Sequence, residues 1–338
     1  MNNPVKIQRW LDLYEGSRRT VVIIDQKDYG TIPILSSENT DEFFDWNIRR
    51  YHVMADSSEW LDDETIPHVS LNTGTHIFAE AFGCDVIYPG DSNPFARPCV
   101  FGAGDATKIR RPVLENSSLM RNFDLGMKLR AAAPDAMIQL PDIQSPLDIA
   151  ALIWEKSGFY TSMIDEPQAV KDLIEMVYEL LTEFLDLWFR TFGREFIAHY
   201  PAYYMPRGIT LSEDEIGSIS AAQFGEFALP VLCRLSQHYD GRIGIHCCAD
   251  AKHQWGLLKS IPGLTLLNLN PHYHAASAAR EASVFFREGP PLWLIGPAIN
   301  ECYDFGGRAV LSCSADSRQK AIDELNRLRE YSASFNKI

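Results

Sequence analysis

The sequence predicts an α/β protein folded as a (β/α)8 barrel, and three observations carry that expectation. Short β-rich runs alternate with longer segments of helical period; the runs are apolar throughout, as strands covered on both faces must be; and eight of them can be read. In order they are TVVIID (20–25), CDVIYP (84–89), AMIQLPD (136–142), EFIAHY (195–200), GRIGIHC (241–247), LTLLNL (264–269), PLWLIG (291–296) and RAVLSC (308–313). The barrel then has an N-terminal extension over residues 1–19 and a long insertion after the first strand, and the whole of 1–338 reads as one domain. A doubly wound open sheet is the competing arrangement. It usually carries a glycine-rich first turn, whereas QKDYGTIPIL follows TVVIID, and GAGDA at 102–106 lacks both a preceding strand and the G-x-G-x-x-G form.

Between the runs lie helices. In EPQAVKDLIEMVYELLTEFLDLWFRTFG, Val170, Leu173, Ile174, Val177, Leu180, Leu181, Phe184 and Trp188 recur at steps of three and four, Pro167 suits the first turn, and Gly193 supplies the stop. Lys and Arg total 31 against 45 Asp and Glu, a net charge of −14. That balance argues against a nucleic acid or an anionic membrane as partner, since both attract basic surfaces. The opening residues lack a signal-peptide core and no run is long enough to span a bilayer, so the expected location is the cytoplasm. Seven cysteines form an odd set without disulfide-framework spacing, which in a reducing compartment makes them buried thiols or ligands.

In a (β/α)8 barrel the chemistry sits at the C-terminal ends of the strands. Those ends hold Asp25, Asp142, His199, His246, Cys248, Asn268 and Cys313, with Asn270, His272 and His274 just beyond the sixth run. On a strand, residues two apart share a face, so His246 and Cys248 project together while Cys247 points away. An imidazole and a thiolate make two corners of a zinc site; Cys313, ending the last strand, is the candidate third, leaving a fourth position open as catalytic zinc requires. The plain alternative is a buried strand rich in soft side chains, cysteine being among the most buried residue types. In SEDEIG, Glu213, Asp214 and Glu215 are either a solvated helix start capped by Ser212 or the source of an extra ligand or general base; Glu213, Glu215 and Asp142 are the candidate catalytic carboxylates. His199, Tyr200, Tyr203, Tyr204, Arg207 and Asn268 are the candidate substrate-binding residues, an aromatic wall with one cation suited to a flat or anionic ligand.

The chain resembles the uroporphyrinogen decarboxylase superfamily. The resemblance covers most of the sequence and rests on GTHIFAEAFGCDV (74–86), QLPDIQSPLDIAALI (139–153), DEPQAVKDLIEMV (165–177), ISAAQFGEFALPVLCRL (219–235), GIHCCAD (244–250) and VLSCSADS (310–317). The zinc-dependent methyltransferase branch carries H-x-C with a later Cys near the last strand, and His246, Cys248 and Cys313 match its order. The resemblance implies zinc and methyl transfer between a small thiol or methyl ether and a corrinoid carried by a partner protein; a homodimer is a candidate assembly that the sequence itself does not specify. The decarboxylase branch is the alternative, together with a non-catalytic tetrapyrrole or metal binder. Its R-Q-A-G-R signature has no counterpart here, and Arg110, Arg111 and Arg207 are scattered. Two departures from the methyltransferase pattern are Ala249 in place of a glycine and the absence of a proline- and glycine-rich run around Cys313.

Overall fold

In a computed structural model that describes residues 4–26, 33, 40–71, 73–89, 92–269, 275–295 and 307–334, the first apolar run forms strand β1 (Thr20–Gln26), with Val21 to Ile24 all buried. Seven further parallel strands follow: β2 (His68–Val69), β3 (Met137–Ile138), β4 (Ile209–Ser212), β5 (Ile243–Cys247), β6 (Leu264–Leu269), β7 (Leu292–Ile295) and β8 (Ala309–Ala315). Six lie in one sheet in the order β1-β8-β7-β6-β5-β4. The circle is completed by the parallel pair β2–β3, by a parallel bridge from Gln144 to Ser212 of β4, and by the Glu64 amide donating to Val22 O of β1 at 2.9 Å. The fold is the (β/α)8 barrel.

Two of the eight runs are placed differently. Val86–Ile87 pairs antiparallel with Phe95–Ala96 outside the barrel, and Phe196–Ile197 forms a hairpin with Tyr204–Met205 beside β3, where Leu140 N donates to Ile197 O at 2.8 Å. The true second and fourth strands are β2 and β4. The stretch after β1 also carries a regular helix, α2 (Thr40–Ser57).

The N-terminal helix α1 (Pro4–Glu15) closes the end of the barrel where the strands begin. Trp10 donates to Glu64 O, stacks at 6.2 Å on Tyr203 inside the barrel, and Arg308, just before β8, donates to the carbonyls of Leu13 and Tyr14. Lys6 is buried against Asp63 at 3.2 Å and also reaches the carbonyls of Leu61 and Thr65. Asp63 and Glu64 in turn accept the Ile24 and Val22 amides of β1 at 3.0 and 2.8 Å. Two acidic side chains therefore do what a strand backbone would otherwise do at the β1–β2 seam, and α1 supplies their countercharge.

Outside the strands, α3 (Pro146–Ile153) begins at Ser145, whose side chain accepts from Asp148 N. It packs on α4 (Pro167–Phe192), which buries the eight-residue stripe named above together with Leu185 and ends at Gly193, φ 97°. The last helix, α5 (Arg318–Ser334), covers β1 and β8. Among the described residues, no helix is long and apolar enough to cross a membrane.

Candidate active site

A cavity of about 710 Å³ opens among the C-terminal ends of the strands, lined there by Asp25 and Gln26 of β1 and Ser314 of β8. Its walls carry three aromatic rings, Trp46, Tyr200 and Trp293, and the polar side chains of Arg50, His68, Gln139 and His199. His68 Nδ1 lies 2.8 Å from Ile66 O and so carries the proton, which leaves Nε2 to accept from Arg50 Nη2 at 3.0 Å. Burial, followed by the Arg50 charge, holds His68 well below the usual imidazole range, consistent with that neutral tautomer.

His199 is fixed from two sides. Gln139 Nε2 donates to the carbonyls of Ala198 and His199, and His199 Nε2 sits 3.0 Å from Ser212 Oγ and 3.6 Å from Asp142 Oδ1. Burial, with His246 nearby, pushes His199 down to about 3, so at neutral pH it is uncharged and forms no ion pair. Asp142 moves the other way, to about 7, through burial and then repulsion from Asp214.

Beside the cavity, one ligand atom each from Asp214, His246 and Cys248 lie within 4.8 Å of one another, the one such metal-capable group among the described residues. Three elements bring them together. His246 comes from β5, with its Nδ1 2.5 Å from Asn268 Oδ1 on β6. Because an amide oxygen can only accept, Nδ1 carries the proton and Nε2 keeps its lone pair for a cation, the arrangement that metal-bound histidines use. Cys248 leaves the end of β5 and donates its amide to Asp214 Oδ1 at 2.5 Å, while Cys247 turns to the opposite face and its thiol donates to Ala249 O. Asp214 follows β4 and is held through its backbone: its amide and that of Glu215 donate to the two oxygens of Asp148 on α3 at 2.7 and 2.9 Å.

Nitrogen, oxygen and sulfur donors converging in this way fit a zinc ion. Burial, then the Asp214 carboxylate, pushes the Cys248 thiol up to about 12, and burial lowers His246. A cation reverses the first effect and uses the second, since it binds thiolate and neutral imidazole. The Tyr200 ring lies edge-on 4.8 Å from His246 and also lines the cavity, so donor group and cavity share a wall.

Other expected site residues stand outside the donor group. Cys313 is among the residues lining the cavity but does not join His246 and Cys248: its Sγ accepts from Arg327 Nη2 of α5 at 3.3 Å, while its neighbour Ser312 accepts from Trp293 Nε1. Of the three consecutive carboxylates, the middle one joins the donor group. Glu213 is fully buried near Asp148 and Ser145, where burial and the Asp148 carboxyl raise its pKa. Asp148 is raised as well, but it accepts two backbone amides, so the shared proton of the pair belongs on Glu213. Glu215 is paired with Lys156 and Tyr160.

Tyr203 and Tyr204 form the packed floor: Tyr203 lies against Trp10 and Trp293, and Tyr204 donates to Glu195. Arg207 is exposed and precedes β4, which places it at the end opposite the cavity. Asn268 orients His246 rather than lining the cavity. Asn270, His272 and His274 lie outside the described residues. Trp46, Arg50 and His68 carry no motif in the sequence, since α2 and β2 lie in the stretch that reads as an insertion, whereas Gln139 is a polar residue inside an apolar run.

Residues 68–296 match the family model described as Uroporphyrinogen decarboxylase (URO-D). No curated protein sequence matches the chain. A solved structure of a methyltransferase from Methanosarcina mazei superposes on 98% of this chain and 99% of its own with a TM-score of 0.68, at 12% sequence identity, a likeness of fold.

Proposed function

Since the chain belongs to the uroporphyrinogen decarboxylase family, we propose that it is a zinc-dependent methyltransferase of that family, moving a methyl group between a small thiol or methyl ether and a corrinoid. The observation that carries this reading is the convergence of Asp214, His246 and Cys248 beside an aromatic-walled cavity. Zinc bound there supplies Lewis acidity, which lowers the pKa of a thiol or polarises a C–O bond. The chain's own residues do the rest. Asn268 keeps the His246 lone pair facing the donor group, and Asp148 holds the loop that presents Asp214. Tyr200, Trp46 and Trp293 give the substrate an aromatic wall. Asp142, with a pKa of about 7 and 3.6 Å from His199, takes or returns the thiol proton near neutral pH in this reading. The corrinoid arrives on a partner protein that docks over the open end of the barrel.

Decarboxylation of a tetrapyrrole is the poorer fit. A substrate with many carboxylates needs clustered cations, and among the described residues lining the cavity Arg50 is the one Arg or Lys. The test is transfer of the methyl group of methylcobalamin to simple thiols by zinc-loaded protein. The reading expects S-methyl product that disappears in His246→Ala; release of carbon dioxide from uroporphyrinogen without methyl transfer contradicts it.

A further inference from the structure

Cys84 and Cys99 take no part in the site above, yet their sulfurs meet. Cys84 follows the short helix Ile77–Ala81, its amide donating to Ala79 O at 3.1 Å. Cys99 follows the antiparallel pair Val86–Ile87 and Phe95–Ala96, its amide donating to Ile153 O at the end of α3 at 2.9 Å. Each backbone is pinned by its own hydrogen bond, and the hairpin between them returns the chain so that the Cys84 thiol donates to Cys99 Sγ at 3.5 Å. Cys84 is 4% exposed and Cys99 partly exposed. No third His, Cys, Asp or Glu joins them to make a metal cluster, the one such group among the described residues being at Asp214. Two thiols in contact on pinned backbones need side-chain rotation to approach the bonded separation of about 2.05 Å.

We propose that Cys84 and Cys99 form a reversible dithiol–disulfide site that locks the base of the antiparallel pair Val86–Ile87 and Phe95–Ala96. With glutathione disulfide as oxidant, the Cys99 thiolate, the more exposed sulfur, attacks one glutathione sulfur and releases the other as a thiolate. Cys84, as its thiolate, then displaces the remaining glutathione from Cys99. Two S–H bonds and one glutathione S–S bond are exchanged for one protein S–S bond and two glutathione thiols; the protein loses two electrons and two protons, and glutathione gains them. Burial pushes the Cys84 thiol up to about 12, so the second displacement is slow at neutral pH and quickens as pH rises.

The link restrains the hairpin that carries Tyr88. That ring packs edge-on 5.9 Å from His76, and the two line a separate cavity of about 380 Å³ with Thr73, Phe44 and Leu125. Oxidation thus acts on this second cavity, whose lining shares no residue with the larger one.

The experiment treats the full chain with glutathione disulfide at pH 8.5 and maps the products by mass spectrometry. The proposal expects a species lighter by about 2 Da, with the peptides of Cys84 and Cys99 joined, restored by dithiothreitol and absent in Cys99→Ser. Phenylarsine oxide, which bridges two sulfurs within reach, gives an independent measure of proximity that needs no oxidation. It is expected to bridge these two peptides in the reduced protein and in Cys248→Ser alike. Persistence of two free thiols at 84 and 99 after oxidation, together with no arsenical bridge between them, overturns the proposal.

Discussion

Asn268 illustrates how a residue outside a donor group governs it. Its amide oxygen sets which His246 nitrogen carries the proton, 2.5 Å away. Asn268→Ala is therefore expected to weaken zinc binding by about 10- to 100-fold while leaving the thermal midpoint nearly unchanged, as chelator competition and calorimetry together show. At Cys248 the consequence is a proton. Its thiol, pushed up to about 12, is protonated at neutral pH, and His246, with its lowered pKa, is already neutral. Zinc binding must expel the thiol proton, so affinity should rise about tenfold per pH unit between roughly pH 6 and 8, with about one proton released per zinc in weakly buffered titration.

Asp142 gives a stability signature with a definite sign. Its folded pKa of about 7 lies above the unfolded value of 3.8, so between these values the folded state holds a proton that the unfolded state has lost. The group's contribution is neutral below pH 4, declines as pH rises through the window, and is fully unfavourable above 7. Asp142→Asn removes the ionisation. It should stabilise the protein by roughly 2 to 4 kcal/mol at pH 8 and hardly at all at pH 4, measured by denaturant unfolding at both.

At the level of elements, the seam between β1 and the segment leading to β2 depends on buried acids that α1 neutralises. Lys6→Met leaves Asp63 buried beside no ammonium group and is expected to cost about 3 to 5 kcal/mol in a urea titration. The strands show why pattern reading succeeds and fails. β1, β5, β6, β7 and β8 are four to seven residues long, apolar, and each was legible as a run. β2 has two residues and β4 reads ITLS, half of it hydroxylated, so neither presents the uninterrupted apolar signal of a doubly covered strand. The runs at 84–89 and 195–200 present that signal but form hairpins, because tertiary pairing decides what an apolar stretch of this length becomes.

Across the whole molecule, alternation of runs and helices was enough to specify the barrel, and H-x-C spacing on a strand was enough to place His246 and Cys248 together. The third donor was not legible. Which of Glu213, Asp214 and Glu215 faces the group depends on Asp148, 66 residues earlier, gripping two amides, and on Lys156 and Tyr160 drawing Glu215 aside. Cys313 lay in the right order along the chain, but facing depends on strand register: Cys313 pairs with Ile24, and its side chain goes to Arg327 while Ser312 bonds Trp293. The cavity was hidden for a related reason, since Arg50 lies on the helix that follows β1 and His68 on β2, a strand of only two residues.

The account turns on three donors forming one metal site. The most direct measurement is zinc content and affinity in Asp214→Asn, His246→Ala, Cys248→Ser and Cys313→Ser, each purified without a histidine tag. The account predicts loss of zinc in the first three and wild-type binding in Cys313→Ser. Retention of zinc by Asp214→Asn with its loss from Cys313→Ser would contradict it.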